Sequence, residues 1–338
     1  MNILQKTIAE KAGVSYATVS RAFTNSAKVK PQTLQKIRNA MQELGISDYD
    51  DVLLGKRFIA RAVLLAVSDI SNHFYSKVIK GICEGLNPLG YSILLYNYDS
   101  DSGQEISALR HAMENGYSGI IMITVSMSEE MIRFLQNTSI PIVLVNRYIP
   151  SLDLDVVRID NYRGGYMAAK YLMEHGHKDV AMLTGVKGSG TALDRSRGFF
   201  DGMRDYGLSF TDQDIVYGDN SLKSGKQFAD WLVNQSRPYT AAFIGNDYMS
   251  VGVVRRLQEL NFQIPKDYSV LCFDDSYMVD ESGLNLTTIS CDPEMMGRSA
   301  ADIFVKRQAD LLGGRFRIIY SPVLKERNSV QSLETINF

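Results

Sequence analysis

Polar side chains that directly follow apolar runs are the candidates for chemistry in this chain. Asp69-Ile-Ser-Asn-His-Phe74-Tyr75 follows the apolar run 63–67, and Asn146-Arg147 follows 141–145. The glycine-rich stretch 185–195, which carries Thr191 and ends in Arg195, follows 180–183. Gly245-Asn246-Asp247 follows 241–244, and Asp274-Asp275 follows 268–273. Amide and carboxylate oxygens accept hydroxyl hydrogens, and an arginine donates to ring and hydroxyl oxygens. Phe74 and Tyr75 add an aromatic wall for a ring. The combination suits a hydroxylated ligand such as a sugar. Taken singly, each Asn or Asp serves more commonly as a turn former or helix cap. Enzyme signatures are missing: the chain has no Gly-x-Ser-x-Gly, His-Glu-x-x-His or Cys-x-x-Cys. The stretch 185–190 lacks the Gly-Lys-Ser/Thr of a phosphate loop. His175 and His177 flank Gly176 past a helix end, where capping is the ordinary role. No catalysis, metal or cofactor is expected.

A second kind of chemistry lies at the N-terminus. Ile8-Ala-Glu-Lys-Ala-Gly-Val-Ser-Tyr-Ala-Thr-Val-Ser-Arg21 reads as helix, tight turn and helix. Ile8, Ala12, Val14, Val19 and Ala22 fall where two steeply crossing helices share an apolar seam. Gly13 suits the positive φ of the turn, and Ser15 suits the cap of the second helix. That helix would expose Tyr16, Ala17, Thr18, Ser20 and Arg21, the way a recognition helix is shown to the DNA major groove. Residues 1–46 hold seven basic and two acidic side chains, a net of +5, and the rest of the chain carries −7. A basic head on an acidic body fits a DNA-binding module joined to a domain with another task.

The remaining elements must hold these groups in place. Pro31 opens a third helix through Leu34, Ile37, Met41 and Leu44, and the head closes at 46. Residues 47–60 read as an acidic linker. Strands are expected over 63–67, 92–96, 119–123, 141–145, 180–183, 215–217, 241–244 and 268–273. Helices are expected over 75–89, 104–115, 129–137, 162–175, 196–206, 224–235 and 248–260. Apolar strands alternating with amphipathic helices predict doubly wound parallel sheets, an α/β fold. Two halves of similar size predict two lobes, with ligands beyond the carboxyl ends of the strands. With 338 residues, 45% apolar and 22% charged, the chain has the composition of a soluble globular protein. No apolar run reaches the roughly 18–20 residues of a membrane span, and Lys6, Glu10 and Lys11 argue against a signal peptide. Cys83, Cys272 and Cys291 lack metal spacing, and buried reduced thiols in a cytoplasmic protein are expected.

The string from Ile8 to Arg21 resembles the head of the lactose/galactose repressor (LacI/GalR) family of bacterial transcription regulators. So do Asn72-His-Phe-Tyr75, Ile159-Asp-Asn-Tyr-Arg-Gly-Gly165, Arg195-Ser-Arg-Gly-Phe199, Asn246-Asp-Tyr-Met249, Phe273-Asp-Asp275 and Arg327-Asn-Ser329, in order along nearly the whole chain. The resemblance implies a homodimer that binds pseudo-palindromic operator DNA as a repressor, controlled by a small effector in the cleft of a periplasmic-binding-protein-like core. Tyr16, Ala17 and Arg21 match base-reading positions. Ser15, Thr18 and Ser20 match positions touching phosphates or neighbouring bases, and Lys28 and Lys30 are expected on phosphates. Phe74, Asn146, Thr191, Arg195, Asn246 and Asp274 match effector contacts. The implied division is a head over 1–46, a hinge over 47–60 and a core over 61–338. Lobe one comprises 61–158 and 290–319, and lobe two 159–289 and 320–338. Crossovers are expected at 158–160, 288–290 and 319–322. The linker departs from the family pattern: the Pro-Asn and Arg are replaced by an aspartate-rich stretch, leaving Leu53 or Leu54 as the minor-groove wedge. The alternative this raises is a small-molecule sensor with weakened DNA binding. No heptad run precedes Phe338, so no tetramerising coiled coil is expected.

Overall fold

The computed structural model describes residues 3–24, 28–44, 61–98, 102–138, 140–276, 284–309 and 313–333. At the N-terminus, α1 (Ile3–Ala12), α2 (Tyr16–Thr24) and α3 (Pro31–Glu43) close a small core. Ile8, Ala9, Val19 and Ala22 are buried against Ile37 and Met41, with Ala12, Val14 and Leu34 packed at its margin. Gly13 takes φ +65° in the turn. The Ser15 side chain accepts a 3.1 Å hydrogen bond from the Thr18 N–H, capping α2. Leu44, read as part of the apolar face of α3, is 37% exposed just past the helix end.

The body holds two six-stranded sheets. Sheet one contains β1 (Ala62–Val67), β2 (Ser92–Asn97), β3 (Gly119–Met122), β4 (Ile142–Val145), β5 (Asp155–Ile159) and β11 (Arg317–Tyr320), in the order β11-β5-β4-β3-β1-β2, all parallel. Sheet two contains β6 (Val180–Thr184), β7 (Ile215–Tyr217), β8 (Ala241–Ile244), β9 (Ser269–Asp274), β10 (Thr287–Ser290) and β12 (Val323–Lys325). Its order is β12-β10-β9-β8-β6-β7, with only β12 antiparallel to its neighbour. Helices α4 (His73–Leu86), α5 (Ser102–Glu114), α6 (Glu129–Gln136) and α11 (Pro293–Gln308) cover sheet one. Helices α7 (Asn161–Glu174), α8 (Gly190–Asp205), α9 (Leu222–Val233) and α10 (Asp247–Glu259) cover sheet two. The chain passes between the sheets after β5, after β10 and after β11.

Burial on both faces explains the unbroken apolar strands. Alternate residues of β1 face opposite layers: Val63, Leu65 and Val67 pack with Phe74 and Ile82, while Leu64 and Ala66 pack with Ile120 and Leu109. The edge strands depart from this: Tyr217 of β7, Ile319 of β11 and Val323 of β12 are exposed. β2 pairs only with β1, at the sheet edge, and leaves Leu94 and Leu95 43% and 38% exposed. Helix pairs approach closely through glycines. A Cβ on Gly165 of α7 would collide with the Arg195 carbonyl, and one on Gly198 of α8 with the Tyr162 carbonyl. Only hydrogen at these positions lets α8 lie flush on α7, which fixes where Arg195 stands. Of the three cysteines, Cys272 is buried as expected, while Cys83 and Cys291 are only half-buried.

Candidate functional site

The loops at the carboxyl ends of both sheets meet in one cleft. Phe74, Asn146, Thr191, Arg195, Asn246 and Asp274 all line a single small cavity of about 30 Å³, together with Asn72, Tyr75, Arg147 and Asn220. It adjoins an outer compartment of about 470 Å³, to which Asn72, Tyr75, Arg147 and Asn220 also contribute. The inner cavity has room for about one water, whereas the outer compartment has the size of a small-ligand pocket. A larger hollow of about 750 Å³ lies away from this cleft, bordered by the starts of β4, β5 and β11. Its wall includes Arg307, which is already paired at 2.7 Å with the buried Asp155.

Arg195 is the structural centre of the inner cavity. Thr191 and Arg195 stand on α8 rather than on a loop, because the helix begins at Gly190, six residues before its expected start at 196. The cause is Ser189, whose hydroxyl accepts from the Ala192 N–H and caps the helix. Arg195 is 7% exposed. Its Nε donates to Asn161 Oδ1 at 2.8 Å, one Nη donates to the Gly245 carbonyl, and the other donates to Asp274 Oδ1 at 3.1 Å. The guanidinium lies 3.5 Å over the Phe273 ring. Asp274 holds a left-handed backbone, φ +94°. Burial pushes its carboxyl up, opposed by the charge and hydrogen bond of Arg195. Burial and the neighbouring Asp274 carboxylate likewise push up Asp247, which accepts from the Ser276 N–H at 2.6 Å.

The asparagines divide between capping and cavity. Asn246 Oδ1 accepts from the Met249 N–H at 2.7 Å, capping α10, and its Nδ2 donates to Asn220 Oδ1 at 3.1 Å. Asn72 caps α4 by accepting from the Phe74 N–H at 2.9 Å. Asn146 is different. It is 5% exposed, takes φ +67°, and its Oδ1 is buried with no hydrogen-bond partner. Arg147 Nε is likewise buried and unpartnered. Asn146 and Arg147 both line the inner cavity, and an unmatched acceptor and donor suit contact with a polar group. Phe74 and Tyr75 form the wall, edge to face with centroids 6.0 Å apart.

Three contributors escaped the sequence reading. Asn220 reaches the cavity from a φ +67° turn after β7. Its only signal was an Asp-Asn pair following a three-residue strand. Glu105 and Tyr98 belong to the outer compartment. Glu105 is fully buried on α5 and accepts from the Ser126 N–H at 3.2 Å. Burial pushes its carboxyl up to about 7, opposed by the Ser126 and Tyr98 hydrogen bonds and the charge of Arg147. A glutamate in a helix's first turn looks in sequence like an exposed residue.

In the head, Ser15, Ala17 and Arg21 are exposed, and Tyr16, Thr18 and Ser20 are half-buried along the same stretch. Thr18 is also tied to Ser15 by a 2.8 Å hydroxyl–hydroxyl bond. Lys28 and Lys30 are exposed before α3. Leu53 and Leu54 lie outside the described residues.

A three-helix head with a helix-turn-helix, in one chain with a two-lobed body whose loops converge on a polar cleft, defines a ligand-controlled, DNA-binding regulator of transcription. Residues 6–47 match the family model for bacterial regulatory proteins of the lacI family. Residues 60–313 match that for periplasmic binding proteins and the sugar-binding domain of the LacI family. The chain belongs to the LacI family. It is 30% identical to the HTH-type transcriptional regulator DegA of Bacillus subtilis, over 97% of this chain and 98% of that one. It is 29% identical to the HTH-type transcriptional repressor CytR of Escherichia coli, over 87% and 86%. A LacI family regulator of Enterococcus faecium, solved with bound ribose, superposes with a TM-score of 0.73 at 25% identity, covering 81% of this chain and all of that one. Among the described residues no helix is long and apolar enough to cross a membrane.

Proposed function

We propose that the cleft binds a sugar or sugar derivative, and that this effector sets the affinity of the head for operator DNA. The observation that carries the reading is the pair of open groups in the inner cavity, Asn146 Oδ1 and Arg147 Nε. A hydroxyl donates to the first and accepts from the second. Arg195 and Asp274 contact the effector from lobe two, with Thr191 and Asn246 beside them, and Phe74 and Tyr75 pack against its ring. The ribose-bound relative supports a sugar. An inner cavity of about 30 Å³ is too small for a sugar ring, so the lobes open to admit the effector and close on it.

In this reading residues 1–46 form the DNA-binding head, 47–60 carry the signal, and 61–338 hold the effector and the dimer contacts. Tyr16, Ala17 and Arg21 read bases, Ser15, Thr18 and Ser20 touch phosphates or adjacent bases, and Lys28 and Lys30 bind phosphates. Leu53 and Leu54 supply the minor-groove wedge. The exposed Leu94 and Leu95 on edge strand β2 support a homodimer, since an uncovered apolar edge invites pairing. The protein works in the cytoplasm, where its DNA is, and catalyses no reaction. Effector and operator then change each other's affinity by the same factor.

Thermal-shift titration of the full chain against ribose, other sugars and purines tests the effector class. A binder at a hundredfold excess over its Kd stabilises by about 2.7 kcal/mol. Shifts with sugars alone uphold the reading, and a shift confined to purines would replace it.

A further inference from the structure

Side chains from both lobes also meet outside the inner cavity. Tyr148, in the loop after β4, donates its hydroxyl to Asp194 Oδ2 at 3.4 Å. Arg158, on β5, donates to the same oxygen at 3.4 Å. Its guanidinium stacks 4.3 Å from the centre of the Tyr148 ring. Tyr148 and Arg158 belong to sheet one and its loops, while Asp194 stands on α8 over sheet two. Asp194 lines neither the inner cavity nor the outer compartment, so its carboxylate is committed to the facing lobe.

We infer that Tyr148, Arg158 and Asp194 form a latch that holds the lobes closed, and that α8 couples this latch to the effector. Asp194 sits between Thr191 and Arg195 on one stretch of helix, and both of these line the inner cavity. A ligand that draws α8 toward the cavity therefore moves Asp194 with it. The side chains of Arg158 and Asp194 are 22% and 25% exposed, so the contact is partly sheltered from water. An ion pair sheltered in this way is screened less by salt and water than a fully exposed one. Burial pushes the Asp194 carboxyl up, and Arg158 and Tyr148 oppose that rise. Opening the lobes rehydrates Asp194 and loses both bonds. Arg158 and Asp194 are positioning residues that set the lobe angle without lining either cavity, while Tyr148 also borders the outer compartment.

The coupling to an effector rests on the reading of the cleft given above, but the latch is tested without any effector. Spin labels at Glu130→Cys in lobe one and Gln227→Cys in lobe two, with Cys83→Ser and Cys291→Ser, report the lobe distance in the ligand-free full chain. Labelled protein is diluted in unlabelled protein so that distances within one chain dominate. Asp194→Ala removes both bonds and should lower the ratio of short to long distances by at least about tenfold, the effect of losing a single bond to a charged group. Asp194→Arg should open the lobes further, and adding Arg158→Asp to it should restore the short distance. Unchanged distances in Asp194→Arg, or no restoration in the charge swap, would overturn the latch. Failure of every sugar to bind would leave this result standing and remove only the coupling. The restoring swap separates a lost latch from a damaged fold.

Discussion

Removing Arg195 should do more than weaken effector binding, because the side chain is a buried keystone before any ligand arrives. Arg195→Ala strips a donor from Asn161 Oδ1, the Gly245 carbonyl and Asp274 Oδ1, and uncovers the face of Phe273. Each buried acceptor left without a partner costs about 1–3 kcal/mol, and breaking a buried ion pair costs about 3–5 kcal/mol. The terms overlap because one new cavity can admit water to all three acceptors. The expected total is about 3–5 kcal/mol, a large share of the roughly 5–15 kcal/mol that stabilises a domain. Asp274 sets the pH dependence. Burial already raises its folded pKa, and losing Arg195 removes the group that opposes the rise. A carboxyl whose folded pKa is raised contributes most below its unfolded pKa, and that contribution is lost as pH rises through the folded value. The deficit of Arg195→Ala should therefore grow from pH 5 to pH 8. Asp274→Asn added to Arg195→Ala should recover about 1–2 kcal/mol by removing the stranded charge. Urea unfolding can be followed through Trp231, the single tryptophan, which packs against Phe228 in the same lobe. A loss below about 1 kcal/mol with no pH trend would refute this account of Arg195.

Three further outcomes test other parts of the molecule. Burial raises the Glu105 carboxyl from 4.5 to about 7, so its favourable contribution is complete below pH 4.5 and lost as pH climbs through 7. Glu105→Gln removes the charge, and its stability relative to the parent should rise by on the order of 2–3 kcal/mol between pH 4.5 and pH 8; parallel pH curves would count against it. On DNA from upstream of the chain's own gene, Tyr16→Ala should relax base preference. Lys28→Ala or Lys30→Ala should instead lower the salt slope of binding by about 0.9 each, read by fluorescence anisotropy at several ionic strengths. Full slopes in the lysine variants would remove them from the phosphate contacts.

The sequence by itself determined most of the elements and their order, although β5, β10, β11, β12 and α11 were not among those expected. The helix-turn-helix is written in a few adjacent residues, with Gly13 at the turn and Ser15 as cap, and both do what local chemistry requires. Apolar runs alternating with amphipathic helices specify parallel strands covered on two faces, because burial on both sides leaves no polar positions. Strand-end residues were legible for the same reason, since the end of an apolar run marks the sheet edge where ligands bind. The sequence left the partners of these residues undetermined. Arg195 was legible as polar and near a strand end, but its three acceptors come from positions 161, 245 and 274. Asn246 and Asn146 look alike in sequence, yet one caps a helix and the other leaves an open acceptor. Asn220 had only a weak local signal and Glu105 none, because their place in the cleft depends on segments distant in the chain. Only the tertiary structure decided these matters. Which polar group is satisfied, which stays open and which joins the two lobes depends on atoms tens to hundreds of residues apart along the chain.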